Sequence, residues 1–142
     1  LPVGVRKEPG IEEQVDNSRN TALEAERRDV DLLFDARFLP NPHWQPELRP
    51  LTGLDEDVSD YVFSFEEAEE FLGKVTDIMD FLLPHYESEG KAYLTIGIGC
   101  TGGRHRSVAI AEAIGWHLSS DGHDVTVHHR DAGVDDSNAG RR

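Results

Sequence analysis

Tyr93-Leu-Thr-Ile-Gly-Ile98, Gly99-Cys-Thr-Gly-Gly-Arg-His-Arg-Ser107 and Val108-Ala-Ile-Ala-Glu-Ala-Ile-Gly-Trp116 follow one another in this chain. The first piece is apolar, as a buried strand requires, and the third repeats apolar residues at helical spacing. Between them a glycine-rich turn aims several backbone N–H groups, and the positive end of the helix dipole, at one small volume. Two arginines, a histidine and two hydroxyls surround that volume. The combination predicts an anion site, phosphate above all.

Working outward, strand Lys91–Gly99, helix His105–Asp121, the helix-ending Gly122 and strand Asp124–His129 read as a βαβ unit. Such a unit implies an α/β, three-layer domain with a mainly parallel sheet and flanking helices. Val30-Asp-Leu-Leu-Phe-Asp35 reads as a further buried strand. Pro40, Pro42, Pro46 and Pro50 make 36–53 a rigid, extended loop. Ser64-Phe-Glu-Glu67 has the form of a capping box. Phe65, Ala68, Phe71, Leu72, Val75, Ile78, Met79 and Leu82 then recur as a core-facing helical stripe that Gly90 closes. Residues 1–29 lack such a stripe and are expected to be a flexible N-terminal arm or weak helix. A single ligand-binding domain is expected over 30–131 and a disordered tail over 132–142.

The 142 residues carry 28 acidic and 14 basic side chains, for a net charge of −14. The acidic residues are spread along the chain, which reads as a solvating surface rather than a docking face for a basic partner. That charge disfavours non-specific nucleic-acid binding at low salt. No apolar run approaches the length of a membrane span, so no membrane partner is expected. A single cysteine, Cys100, excludes internal disulfides and fits a reducing, cytoplasmic setting. The first residue is Leu1, which fits a fragment or a processed product.

Cys100-x5-Arg106-Ser107 has the spacing used by cysteine-dependent phosphatases. A helix start and two arginines favour a thiolate, and Asp35 or His43 would serve as general acid. The other reading of Cys100 is a small buried residue at a strand end, and it is the preferred one. Asp35-Ala-Arg37-Phe-Leu-Pro-Asn41-Pro-His43-Trp44 follows a strand, at the sheet edge where open α/β folds bind ligands. There Asp35, Arg37, Asn41 and His43 offer groups for a polar ligand; alternatively Asp35 and Arg37 form a structural ion pair. His85, His117, His123, His128 and His129 make no zinc pattern with cysteines, so no metal is expected. No Gly-x4-Gly-Lys-Ser/Thr loop is present, and no cofactor is expected.

Phe34-Asp-Ala-Arg-Phe-Leu-Pro-Asn-Pro-His-Trp44, Leu48-Arg-Pro-Leu-Thr-Gly-Leu-Asp55, Gly99 to Val108, and His129-Arg130-Asp131 together resemble the C-terminal domain of the RapZ/YvcJ family over about residues 30–131. Full-length members carry an N-terminal P-loop nucleotide-binding domain. The resemblance implies a non-catalytic regulatory module that senses glucosamine-6-phosphate or a related anionic metabolite. Thr101, Gly102, Gly103, Arg104, His105, Arg106 and Ser107 would hold the phosphate; Asp35, Arg37, Asn41 and His43 would read the sugar. Relatives also bind small RNAs and deliver one to an endoribonuclease. The tail after Arg130 lacks the lysine cluster used for that, so RNA is not the expected partner, while a protein partner and a homo-oligomer stay open.

Overall fold

Bulk alternates with its absence along one strand, β3 (Leu94–Gly99), where all six residues are buried. Leu94, Ile96 and Ile98 fill one face of the pleat, and Thr95, Gly97 and Gly99 keep the other face thin. The computed structural model describes residues 1–7, 30–100 and 104–129. Within them β1 (Val3–Lys7), β2 (Leu32–Asp35), β3 and β4 (Val125–His129) form a parallel sheet in the order β2-β3-β1-β4. Register aligns the bulky residues: Val3 stands beside Leu94 and Val125, and Val5 beside Ile96 and Val127. Phe34 stands beside Ile98.

A 3-10 turn (Pro42–Trp44) and helices α1 (Glu56–Phe63) and α2 (Glu66–Ser88) connect β2 to β3, and α3 (Arg106–Ser120) connects β3 to β4. Both crossovers step the same way across the sheet, so right-handed connections put their helices on the same face. There Ile110, Ile114 and Leu118 of α3 and Val75, Met79 and Leu83 of α2 join the sheet valines and isoleucines in one core. Gly115 lets α3 lie close, because a Cβ there would come within 2.6 Å of Val127 Cγ2. Gly90 and Gly122, at φ +91° and +92°, take the left-handed conformation that follows the ends of α2 and α3. The helical layer expected on the opposite sheet face has no counterpart among the described residues. No helix among them is long and apolar enough to cross a membrane.

The arm expected over 1–29 is corrected at its start. Val3–Lys7 is an interior strand, hydrogen-bonded on both edges, with Val3 and Val5 buried. Five residues beside Pro2 are too few for periodicity to reveal, and their partners lie some 90 to 120 residues away. The polar helix considered over Glu12–Arg28 and the tail over 132–142 lie outside the described residues. Ser64 is corrected too: it ends α1, where its hydroxyl donates to the Tyr61 carbonyl at 2.6 Å, and Phe65 is the N-cap of α2 without a side-chain cap. Helix α1 was not foreseen, because its buried pair Val58 and Val62 is hidden among acids.

Val5→Asp would bury an unpaired carboxylate in mid-sheet and is expected to abolish cooperative thermal unfolding. Leu33→Thr on the half-exposed edge strand should cost about 1 kcal/mol or less by urea denaturation. Equal loss in the two variants would contradict an interior β1.

Candidate functional site

Strand β3 ends at Gly99, and the next described stretch starts at Arg104, just ahead of α3. Thr101, Gly102 and Gly103 lie outside the described residues. Across that gap the chain is tied to itself: the Ser107 N–H donates to Cys100 Sγ at 3.3 Å, and the Ser107 hydroxyl lies 3.2 Å from the same sulfur. Cys100 is 1% exposed. Its sulfur fills the space under the helix start, the small-buried-residue reading of this cysteine.

Parallel pairing places Asp35, at the end of β2, beside Gly99, at the end of β3. The following turn is then fastened by Arg106. This arginine is 4% exposed, and its Nη1 donates to the Arg37 carbonyl at 2.6 Å and the Leu39 carbonyl at 3.1 Å. One buried cation therefore joins the two motifs that sequence reading set side by side. Asp35 and Arg37 grip each other: Arg37 Nε and Nη2 reach the carboxylate at 2.8 to 3.1 Å, and the Arg37 N–H adds a bond at 2.9 Å. The Arg37 side chain beside Asp35 holds its carboxyl below the usual range, with the Arg106 charge a smaller contribution and burial opposing both. The ion-pair reading of these two residues is thus realised, at a half-exposed position facing the helix start.

The proline-rich segment wraps the same helix start. Arg104 Nη2 donates to the Pro50 carbonyl at 3.0 Å, and the Gly53 N–H donates to the Arg104 carbonyl at 2.8 Å. Gly53 has no room for a side chain, because a Cβ would overlap Ala109 N and the His105 carbonyl. Sequence reasoning missed this glycine; its signal was a Thr-Gly step inside a segment rigid enough to need a close approach. Thr52 N–H bonds to Asp55 at 2.8 Å, closing the segment on itself. Asn41 accepts from the His43 N–H at 3.1 Å, and the His43 ring packs edge-on against Trp44. Their recorded partners lie within this segment rather than on the α3 turn.

His105, at the N-cap of α3, is 7% exposed, and its Nε2 is buried with no hydrogen-bond partner among the described residues. Burial pushes its imidazole below the ordinary value of 6.5; the Arg104 charge adds to the fall, while the main chain of Leu48, Arg49 and Leu51 opposes it. A neutral ring beside two arginines leaves local positive charge on the guanidiniums and the helix dipole, the electrostatics an anion needs.

Fold and site define a parallel α/β domain with a cationic, strapped helix start. The chain belongs to the RapZ C-terminal domain family, which it matches over residues 23–133. It is 59% identical over 103 residues to a nucleotide-binding protein of Bacillus cytotoxicus, and 57% identical over 103 residues to those of Bacillus thuringiensis and Bacillus mycoides. These matches cover 72% of this chain and 35% of each relative. The chain thus spans about a third of the length of these curated relatives.

Arg106→Ala strips one buried and one part-buried carbonyl of their donor and is expected to cost about 2–4 kcal/mol in urea unfolding. Because the folded His105 pKa is depressed, its contribution to stability is present above pH 6.5 and is lost as pH falls below that value. Urea midpoints measured between pH 7.5 and 5 should fall more steeply in the native chain than in His105→Gln. Parallel profiles would rule out this role for the ring.

Proposed function

We propose that this domain is a non-catalytic regulatory module that binds a phosphorylated amino sugar, of the glucosamine-6-phosphate kind, or a related anionic metabolite. The observation that carries the reading is the Arg106 clamp, which holds the turn after Asp35 against the start of α3. In this reading the phosphate lies at the helix start, with Thr101 to Gly103 and Arg104 to Ser107 around it. Helix N–H groups and guanidiniums there supply charge-assisted bonds. The ion-paired Asp35 lies one strand away and stays ionised, so it accepts from an amine or hydroxyl of the sugar. Asn41 and His43 stand on the proline-rich segment that would close over it. Cytoplasmic residence accords with the single, unbridged Cys100.

A ligand held between that segment and the helix start would change the surface offered to a partner protein. RNA delivery finds no support in a chain of net charge −14. Hydrolysis through Cys100 is not expected either, since the sulfur is buried and engaged with Ser107.

Isothermal titration with glucosamine-6-phosphate should show saturable binding, with glucosamine and inorganic phosphate each markedly weaker. Arg104→Ala, an exposed change, should weaken phosphate-bearing ligands about tenfold, the loss of one charge-assisted bond. Absence of heat with every phosphosugar tried would overturn the proposal.

A further inference from the structure

The helices α2 and α3 meet again at the far end of α3, away from the anion site. There Asp80 of α2, His117 of α3 and Asp121 at the α3 C-cap turn their polar atoms toward one point, with one ligand atom from each within 4.8 Å of the others. His117 Nε2 lies 3.2 and 3.3 Å from the two Asp80 oxygens and 3.4 Å from Asp121 Oδ2. Among the described residues this is the one such convergence of His, Cys, Asp or Glu groups.

These distances are informative. A single imidazole N–H cannot serve three oxygens well, and a charge-assisted bond is shorter, about 2.7–2.9 Å. The chain makes such a bond elsewhere: His129 Nε2 meets Glu112 Oε2 at 2.7 Å. Separations of 3.2–3.4 Å between an imidazole nitrogen and carboxylate oxygens also match the edges of a donor polyhedron. For bonds of 2.0–2.1 Å those edges come to about 3.0 Å in an octahedron and about 3.4 Å in a tetrahedron.

Electrostatics favours a cation at the same point. Asp121 caps the C-terminus of α3, the negative end of the dipole, where an anion is disfavoured and a cation stabilised. Among the described residues neither Asp80 nor Asp121 pairs with a lysine or arginine, so their mutual repulsion is relieved by His117 alone. All three side chains are a third to a half exposed, which leaves an entry path and room for water ligands.

We infer that Asp80, His117 and Asp121 form a binding site for a borderline divalent transition-metal cation, with zinc as the representative. One nitrogen and two carboxylates suit such a metal, whereas magnesium and calcium select oxygen donors alone. Bound metal would join α2 to the end of α3 and relieve the two carboxylates. No single stretch of sequence displays the site, because Asp80 and His117 stand 37 residues apart.

The test is equilibrium dialysis of the metal-stripped chain against Zn²⁺ at pH 7.5, with bound metal quantified and Tm measured. One equivalent per chain and a raised Tm are expected. Both should be lost in His117→Ala and in Asp80→Asn, exposed changes that circular dichroism will show to be folded. His128→Ala, at a histidine of β4, should keep the equivalent, and Mg²⁺ should give no shift. Full zinc binding in His117→Ala or Asp80→Asn, or no binding by the unaltered chain, would overturn the inference.

Discussion

The guanidinium of Arg106 is the point on which the arrangement turns. It lies in the interior, and Nη1 gives its hydrogens to the carbonyls of Arg37 and Leu39, which no regular strand or helix pairs. A buried charge is tolerated only when such groups surround it, and buried carbonyls only when donors reach them. Each half therefore stabilises the other. The turn after β2, the Asp35–Arg37 pair and the start of α3 are positioned by one hydrogen-bonded cation. Gly53 completes the frame from the other side by letting a main chain approach α3 where any side chain would collide.

What could be read from sequence followed from how local each signal is. The β3–turn–α3 passage was legible because apolar spacing changes from strand to helix within a few residues and glycines mark the change. Helix α2 was legible from its stripe, though its start was not: Ser64 satisfies the capping pattern, yet its hydroxyl goes to Tyr61 in the preceding helix. Strand β1 was illegible because Val3-Gly-Val5 means nothing until Leu94–Ile98 and Val125–His129 lie on either side of it. At the candidate site the residue types were legible, and so was the Asp35–Arg37 pair as one of two readings. That Arg106 donates to the main chain of Arg37 and Leu39 required the fold. The Asp80–His117–Asp121 cluster was invisible for the same reason as β1, since its members meet only through the packing of two helices.

Charge is distributed to match. The chain is acidic overall, yet Arg37, Arg104 and Arg106 gather at one helix start. An anion approaching from afar feels a repulsion that physiological salt screens within about 8 Å. Close to the helix start it meets guanidiniums and a dipole end, of which the buried Arg106 is screened least. The acidic surface and a local cationic site are therefore compatible: one acts on solubility over long range, the other on recognition over a few ångströms.

The strand order carries a consequence in time. Going from β3 to β4 the chain skips one position in the sheet, and β1 fills it. Strand β1 precedes both of its partners in the chain, and its pairing is complete only once β4 exists, since Val3 pairs with Val125 as well as Leu94. At translation rates of about 5–20 residues per second, β1 waits roughly 6–25 s for its second partner. Until β4 exists, β1 can pair with β3 alone, its other edge stays open, and any foreign strand of matching length competes for that edge. Strand β4 must win that competition, so correct folding depends on how a nascent chain shelters the five residues of β1.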